Sequence, residues 1–367
     1  MFRKCKPLCL LLTAVLLAAV PACGAPKSEY TKYSATFMDA FDTVIEVMGY
    51  AKSEKEFNTW AQKAQDRFVE LDHLYDIYHN YDGIHNVKTI NDNAGKGPVK
   101  VEEDIINLLL LCQEWAPKAP GYTDRTNIAL GSVLTIWHQY REAGIADPEH
   151  AQLPPMEDLQ AAARHTDMAD VVVDRAAGTV ELKDPALSLD VGTVAKGYAT
   201  ELVAQELKAA GWTSFLLSAG GNVRAVGKPL DGVRQRWGVG IANPDNAEGG
   251  TDADTTVDTV FCNDLSVVTS GDYERYYVVD GKRYSHIIDP DTLLPATYFR
   301  SVTIVTEDSG LADYLDTILF TLPYEKGRAY IETLDGVDAL WIFPDGTVKA
   351  TDNLIPRLKV LGGASSK

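Results

Sequence analysis

Strand-like and helix-like stretches are interleaved along this chain without strict strand–helix–strand alternation. Apolar residues at helical spacing predict helices over Ser53–Tyr81, Glu102–Trp115, Ile128–Arg141, Lys196–Ala210, Leu311–Leu322 and Lys326–Leu334. Short alternating or apolar runs predict strands within Tyr33–Tyr50 and at Val171–Val173, Thr179–Leu182, Ser188–Val191, Phe215–Ser218, Trp237–Ile241, Thr259–Phe261, Ser266–Thr269, Tyr276–Val279, Ser301–Val305 and Ala339–Ile342. This order favours an α+β fold over a doubly wound parallel sheet. No stretch is typical of a linker between domains, so we expect a single compact body.

The balance of charge limits the possible partners. The chain carries 52 acidic and 34 basic residues, a formal net charge of −18 at pH 7. A protein that neutralises nucleic-acid phosphates needs a basic surface, so we expect no nucleic-acid partner. A small ligand with phosphates would need some group other than surface lysines to balance its charge.

The first 22 residues have the three parts of a secretory signal peptide. Arg3, Lys4 and Lys6 precede an apolar run over Leu8–Val20, which is short for a membrane span. The small residues directly before Cys23 resemble the lipobox of bacterial lipoproteins, in which the cysteine is acylated and becomes the mature N-terminus. An ordinary signal peptide followed by a chance cysteine is the alternative.

The lipobox interpretation predicts an exported protein, anchored by lipid on Cys23 to the extracytoplasmic face of a bacterial membrane. Residues 23–30 would be the tether, residues 31–360 the domain and residues 361–367 a tail. Loss of residues 1–22 removes three basic residues and no acidic ones, which takes the net charge from −18 to −21. Of the remaining cysteines, Cys112 and Cys262 are far apart, and two separate thiols are favoured over one bridge.

A strand–turn–helix segment lies at Ser188–Ala199. Asp190 ends a predicted strand, Gly192 follows in a turn, and a helix begins near Lys196. Backbone N–H groups and the positive end of a helix converge at such a turn, which favours an anionic ligand. The alternative is a structural corner with a lysine that reaches to solvent.

A histidine and a glycine pair follow other predicted strands. Gly220 and Gly221 allow either a close backbone approach to a ligand or a tight turn. His286 lies in Tyr284–Pro290, downstream of the Thr269–Tyr273 turn, where it could accept a proton from an attacking hydroxyl. A lone histidine is more often structural, and no G-x-S-x-G elbow supports a hydrolase triad.

Asp313, Asp316 and Thr317 have the spacing i, i+3 and i+4, which places their oxygens on one face of a helix. Two carboxylates and a hydroxyl suit Mg²⁺, which prefers oxygen ligands. A solvated acidic face is the alternative. The apolar neighbours Leu315 and Ile318–Phe320 indicate a buried helix, where unpaired carboxylates are costly, and this favours the metal site.

In combination these segments resemble the ApbE family, the FAD:protein FMN transferases. The family pattern has Leu-Asp before a turn into Lys-Gly-Tyr-Ala, then Gly-Gly, Thr-Ser-Gly, His-Ile-Ile-Asp-Pro and Ala-Asp-x-x-(Asp/Ser)-Thr. All occur in this order over Leu189–Phe320. Weaker similarity at Phe41–Thr43, Tyr78 with Asn91, and Tyr122–Asp124 extends the resemblance over nearly all of the mature chain.

The resemblance implies a T-fold-like arrangement of mixed or antiparallel sheets packed with helices. It also implies a magnesium-dependent reaction, in which a Thr or Ser hydroxyl of an acceptor protein attacks the FMN-side phosphorus of FAD and AMP leaves. Mg²⁺ would bind the side chains of Asp313 and Thr317 and the carbonyl of Thr193, with Asp316 beside them. His286 is the candidate to orient or deprotonate the hydroxyl, although activation by the metal alone is conceivable. FAD would be lined by Phe41, Tyr78, Tyr122, Thr123, Asp124, Asp190, Lys196 and Ile287.

Two departures from the family pattern concern the shape of the site. Phe41-Asp42-Thr43 stands for the family's Met-Gly-Thr, and Thr292–Pro295 lacks the glycine of Thr-Gly-x-Pro. Three functions remain open: FMN transfer to redox proteins at the outer membrane face, FAD pyrophosphatase activity with water as acceptor, and flavin binding without turnover. The carboxylate pair argues against passive binding, which needs no catalytic cation.

Overall fold

The computed structural model describes residues 29–116, 127–246 and 255–367, and the fold is described for these residues. The predicted signal peptide, Cys23, Tyr122, Thr123 and Asp124 lie outside the described residues. In the part of the chain that is described, no helix is both long and apolar enough to span a bilayer.

The helices and strands follow the mixed order that the sequence predicts. The helices are α1 (Glu54–Tyr75), α2 (Val87–Asp92), α3 (Glu103–Trp115), α4 (Gly131–Ala146), α5 (Met156–Ala162), α6 (Ala195–Ala209), α7 (Ser309–Phe320), α8 (Tyr324–Ile331) and α9 (Lys359–Gly362). The strands are β1 (Thr31–Phe37), β2 (Ile45–Ala51), β3 (Val99–Lys100), β4 (Val171–Asp174), β5 (Thr179–Leu182), β6 (Phe215–Ala219), β7 (Asn222–Val226), β8 (Trp237–Ala242), β9 (Thr256–Cys262), β10 (Ser266–Gly271), β11 (Tyr276–Val279), β12 (Lys282–Ser285), β13 (Ile288–Asp289), β14 (Leu294–Pro295), β15 (Ser301–Thr306), β16 (Asp338–Ile342) and β17 (Val348–Ala350).

A central antiparallel sheet of eight strands has the order β1-β2-β6-β7-β10-β15-β16-β17. Smaller antiparallel sheets are formed by β3-β5-β4, β8-β9, β11-β12 and β13-β14. Successive side chains of a strand point to opposite faces, and both faces of the central sheet are covered. On β16, Trp341 lies in a core with residues of α1, α6 and α7, while Leu340 faces a second core built with β8 and β9. The predicted α+β fold in one compact body is confirmed.

Cys112 and Cys262 are both free and buried. Cys112 belongs to the core on the helical face of the sheet and Cys262 to the core on the other face. The two thiols are therefore separated by the sheet, as the favoured interpretation of the sequence required.

The predicted strand within Tyr33–Tyr50 is in fact a hairpin. Its strands, β1 and β2, are joined by a loop in which Phe41 and Asp42 adopt left-handed φ values of 57° and 49°. This backbone ends the extended conformation and turns the chain back on itself. Asp42 occupies the place of the family's glycine, the residue type that accepts such a φ without strain.

The predicted strand at Ser188–Val191 is wrong. Leu189 lacks a strand neighbour, and the Asn91 side chain takes that place: its Nδ2 donates to Leu189 O at 2.9 Å, and its Oδ1 accepts from Leu189 N at 2.8 Å. Asp190 N donates to Ile128 O at 2.8 Å. The Asn91 side-chain amide thus holds this segment extended in place of backbone hydrogen bonds to a neighbouring strand.

Several predicted helix limits also need correction. The helix expected over Ser53–Tyr81 ends at Tyr75, because the Asp76 carboxylate accepts hydrogen bonds from Tyr78 N and His79 N and forms a turn. The helix expected from Ile128 begins at Gly131 after a short 3₁₀ turn and extends to Ala146. The last predicted helix is α8 rather than Lys326–Leu334, and β9 begins at Thr256, before the predicted strand Thr259–Phe261.

Candidate active site

A cavity of about 1010 Å³ lies beside the central sheet, at the upper end of the sizes typical of small-molecule sites. It is lined by the 38–44 loop, the segment that follows α1, one face of α4, the 190–196 turn, the Gly220–Asn222 turn, residues 273–275 and 285–288, and α7. Every predicted site residue that the structure describes lines this cavity, except Asp316. The structure therefore brings these predicted residues together, although their segments are far apart in the chain.

The 190–196 turn forms as the sequence predicts from its glycine and its helix start. Asp190 Oδ1 accepts a hydrogen bond from Gly192 N at 2.9 Å, which fixes the turn. Burial raises the pKa of the Asp190 carboxyl, and the Gly192 N–H, His138, Arg275 and Lys196 oppose that rise. Lys196 Nζ reaches Gly192 O at 3.4 Å and lies beside the same cavity.

The α7 helix buries its two carboxylates, and glycine at position 197 makes this possible. Gly197 N, in the first turn of α6, donates to Asp313 Oδ2 at 2.8 Å. A Cβ at Gly197 would lie 2.3 Å from Ser309 O and 2.4 Å from Asp313 Cβ, so a larger residue would push the helices apart. The close approach of α6 to α7 thus places Asp313 at the cavity wall.

Asp316 lies directly behind the wall. It is fully buried, and Thr317 Oγ1 donates to its Oδ1 at 3.2 Å, while its Oδ2 receives no hydrogen bond from any described residue. Burial raises the pKa of both Asp313 and Asp316, and for Asp316 the negative charge of Asp313 adds to the effect. Two adjacent buried carboxylates with an orphaned oxygen are costly unless a cation balances them.

These residues fit a hard divalent cation. The donors on this side of the cavity are the Asp313 carboxylate, the Thr317 hydroxyl and the backbone near Thr193, all oxygen atoms of the kind Mg²⁺ prefers. The Thr317 hydrogen is directed at Asp316, which leaves the Thr317 lone pairs free. No group of three or more His, Cys, Asp or Glu side chains with metal-site geometry occurs among the described residues.

His286 faces the cavity from the segment between β12 and β13. Its Nδ1 lies 3.1 Å from Arg275 O, and because a carbonyl only accepts, Nδ1 carries the proton and Nε2 keeps its lone pair. Burial, followed by the positive charges of Arg275, Lys196 and Arg141, lowers the pKa of His286 to about 3. His286 is therefore neutral at physiological pH, with an acceptor nitrogen available to a hydroxyl.

The aromatic part of the cavity contains Tyr78, Phe41 and Ile287. Tyr78 stacks obliquely on His138 with ring centroids 5.0 Å apart, and burial together with the charge of Asp190 raises its pKa to about 12. Phe41 packs its ring on Phe68 and Tyr75, so its edge closes one side of the cavity. Ile287 is buried at the opposite wall.

Among the lining residues that the sequence missed are the charged or titratable side chains of His138, Arg141, Glu274 and Arg275. Arg275 and Glu274 follow the recognised Thr269–Tyr273 turn, so extending that motif by two residues would have found them. His138 and Arg141 lie at i and i+3 on a helix that the sequence indicated only as buried. No motif distinguishes them from other helical polar residues.

Cationic side chains, a neutral histidine and the Asp313 carboxylate line one cavity, with Asp316 behind them, and this arrangement is typical of an enzyme that acts on a phosphate-bearing substrate. Residues 34–341 match the model of the ApbE family. The chain is 37% identical over 285 residues, 74% of each sequence, to a Treponema pallidum (strain Nichols) protein named FAD:protein FMN transferase. It is 29% identical over 327 residues to a protein of the same name from Klebsiella pneumoniae (strain 342), covering 88% of this chain and 87% of that one.

Solved structures agree with the sequence relatives. The crystal structure of an ApbE protein from Thermotoga maritima superposes with a TM-score of 0.74 at 27% identity, covering 88% of this chain and 98% of that one. The flavin transferase ApbE from Vibrio cholerae shares the fold, with a TM-score of 0.71 at 22% identity, over 89% of this chain and 99% of that one. The chain belongs to the ApbE family, and the resemblance drawn from its motifs is confirmed.

Proposed function

We propose that this chain transfers the FMN moiety of FAD to a Thr or Ser hydroxyl of an acceptor protein and releases AMP. The observation that carries the proposal is the convergence, in one cavity of an ApbE-family chain, of neutral His286 with Lys196 and Asp313, directly behind which Asp316 is buried. Relatives named FAD:protein FMN transferase support it.

The reaction forms one bond and breaks one. The acceptor oxygen attacks the FMN-side phosphorus of FAD, the bond from that phosphorus to the bridging oxygen breaks, and AMP leaves with that oxygen. The hydroxyl proton passes to Nε2 of His286, which Arg275 O holds in the accepting tautomer. Because phosphoryl transfer depends on positioning and neutralisation of charge, the chain contributes mainly by fixing these groups.

Asp313, Thr317 and the Thr193 carbonyl are the proposed Mg²⁺ ligands, with Asp316 beside them. When bound, the cation neutralises the diphosphate and stabilises the departing AMP phosphate. The proposal is supported by the unbalanced carboxylates on α7. Such a site would also explain how an acidic chain can bind a diphosphate, because the carboxylates would attract a cation and the cation would balance the charge of the phosphates.

Phe41, Tyr78, Asp190, Lys196 and Ile287 are the proposed FAD contacts among the described residues, and all line the cavity. Tyr122, Thr123 and Asp124 remain predictions of the family resemblance. Phe41 replaces the family methionine with a flat ring at the same wall, which suits contact with a flavin.

The test combines the mature protein with FAD, Mg²⁺ and a candidate acceptor, followed by a denaturing gel viewed for flavin fluorescence. Fluorescence on the acceptor that is lost with EDTA or with Asp313→Ala supports transfer. Free FMN released at the same rate without acceptor would instead establish an FAD pyrophosphatase. Absence of AMP under every condition would leave only flavin binding. His286→Ala is expected to retain FAD and lose turnover; unchanged turnover would remove His286 from the mechanism.

We further propose that the chain is exported and held by acylated Cys23 at the extracytoplasmic face of a bacterial membrane, where its acceptors are redox proteins. The support is the basic start, the short apolar run and the small residues before Cys23. Radiolabelled palmitate should be incorporated into the wild-type protein and not into Cys23→Ser. Incorporation that is equal in the two would contradict the anchor.

A further inference from the structure

We infer that Arg141 binds a phosphate of the diphosphate-bearing substrate from the wall of the cavity that α4 forms, and that His138 orients its guanidinium. The inference rests on the proposed function, because it concerns the same cavity. It adds a helix, α4, to which the family motifs assign no part in the chemistry.

One face of α4 forms a wall of the cavity. Leu134, Trp137, His138 and Arg141 are spaced i, i+3, i+4 and i+7, and all four line it. The wall is rigid because Trp137 Nε1 donates to Leu293 O at 2.9 Å and the Trp137 ring packs against Tyr277 and Tyr284. Residues on this face are therefore fixed relative to the rest of the site.

The direction of the Arg141 guanidinium is set by His138. Arg141 Nη2 lies 2.6 Å from His138 Nδ1, and because a guanidinium only donates, Nδ1 is the acceptor and the ring is neutral with its proton on Nε2. Burial, with the charge of Arg141, lowers the pKa of His138, which keeps this arrangement at physiological pH. The His138 ring is held in turn against Tyr78.

Among the described residues, the charge of Arg141 is poorly balanced. The Arg141 side chain is 14% exposed, and the ion pair recorded for it is a long one, from Nε to the exposed Glu142 at 3.6 Å. A buried guanidinium with spare donors in a ligand cavity is suited to a phosphate, which accepts two parallel N–H bonds. An acidic chain gains little from such a group unless an anion binds there.

Three positively charged side chains from separate elements act electrostatically on the same residue, His286. Arg141 on α4, Arg275 before β11 and Lys196 on α6 all exert their charge on His286. The acceptor hydroxyl meets the reacting phosphorus at His286, so this positive region coincides with the place where negative charge develops. Arg141 would therefore contact the substrate phosphates from the α4 wall of the cavity, while the residues of α7 act from their own wall.

The experiment compares Arg141→Ala, Arg141→Lys and the control Arg175→Ala, which removes an equal charge from an exposed arginine bound to Asn107 and Glu103. Binding of FAD is followed by flavin fluorescence in EDTA, where no transfer occurs, and turnover is followed separately with Mg²⁺ and acceptor. We expect Arg141→Ala to weaken FAD binding about tenfold and to lower kcat about 100-fold. Lysine should restore part of the loss, and added guanidinium ion should raise the turnover of Arg141→Ala. Arg175→Ala should match the wild type in both measurements and should not respond to guanidinium ion.

Equal FAD affinity and turnover in Arg141→Ala and Arg175→Ala would overturn the inference. The FAD-binding measurement does not depend on the proposed transfer reaction. If the wild-type protein transferred no FMN, the FAD titration would still decide the role of Arg141. For His138 as a positioning residue, His138→Gln, whose amide oxygen can accept from Arg141, should keep kcat near wild type. His138→Ala should lower kcat more than it raises KM, and equal values for the two variants would remove the positioning role.

Discussion

The backbone N–H of Gly197 donates to Oδ2 of Asp313 at 2.8 Å, and this bond joins the first turn of α6 to the middle of α7. The two helices carry the anion-binding turn and the carboxylate pair respectively. Their close approach, which only a residue without a Cβ permits, places both functions at one cavity wall.

Replacement of Gly197 by alanine should therefore damage stability and site together. The new Cβ would lie 2.3 Å from a backbone oxygen, so α7 must shift, at a cost of about 1–3 kcal/mol in the free energy of unfolding. Chemical denaturation measures this change. Gly327→Ala on α8 is the control, since its Cβ would meet only the flexible end of Leu319 at 3.3 Å. Equal stabilities of the two variants would contradict the packing argument.

Removal of the buried charge at Asp316 should stabilise the metal-free protein. The pKa of Asp316 is raised well above its usual value by burial and by Asp313, so ionisation of the pair opposes folding. In EDTA at pH 7 we expect Asp316→Asn to raise the free energy of unfolding by about 1–3 kcal/mol and to reduce the rise in Tm that Mg²⁺ causes. The exposed Asp335→Asn should change neither quantity. A destabilised Asp316→Asn in EDTA would show that the carboxylate is already balanced.

The raised pKa values of Asp313 and Asp316 also predict how the stability of the metal-free protein depends on pH. With EDTA present, the folded pair keeps protons that the unfolded chain releases above about pH 3.8, so the contribution of the pair to stability should fall as pH rises from there. Asp316→Asn should show a shallower fall. Thermal melts between pH 4 and 7 measure the slope, and a wild-type Tm that rises over this range in parallel with that of the variant would contradict the assignment.

Glu274 should make FAD binding depend on pH near neutrality. Burial and the charge of Asp313 raise the pKa of this cavity carboxyl to about 7, although Lys196 and Arg275 oppose the shift. Ionisation of Glu274 adds negative charge beside the predicted diphosphate site, so in EDTA FAD should bind less tightly at pH 8 than at pH 6. Fluorescence titrations of Glu274→Gln should show little change across this range. An equally steep dependence in the variant would assign the effect to another group.

Asp72 should influence FAD affinity through the loop that contains Phe41. Its Oδ1 accepts a hydrogen bond from Phe41 N at 2.9 Å and so fixes the left-handed loop that closes one cavity wall. Asp72→Ala should raise KM for FAD about 3- to 10-fold with kcat within about twofold, because the loop loses one anchoring bond. Asp72→Asn keeps an accepting oxygen and should behave like wild type. Identical KM values for the alanine and asparagine variants would remove the role of this bond.

The motifs found in the sequence lie on different kinds of element: a turn before α6, the segment between β12 and β13, and α7 itself. Asp190, Lys196, His286, Asp313 and Thr317 occupy one cavity as expected. On α7, local spacing was sufficient to predict that the side chains of Asp313, Asp316 and Thr317 lie close together, because positions i, i+3 and i+4 share one face of a helix. The central sheet followed from apolar alternation in strands such as β10 and β15.

The sequence did not predict features that depend on contacts between residues far apart in the chain. The extended segment at Leu189 is held by Asn91, almost a hundred residues away, and this bond cannot be inferred from local alternation. The hairpin between β1 and β2 depends on left-handed Phe41 and Asp42, residue types that seldom adopt such angles. Arg141 and His138 become a recognisable pair only when α4 is placed against the cavity.

The central claim is that an acceptor hydroxyl, rather than water, takes the FMN moiety of FAD in this cavity. The most direct measurement is the ratio of AMP released to FMN covalently bound to the acceptor, with AMP measured by chromatography and bound flavin by mass spectrometry. The account predicts one AMP for each FMN attached, and no AMP when the acceptor's Thr or Ser is replaced by alanine. AMP and free FMN formed at an undiminished rate with that mutated acceptor would contradict it.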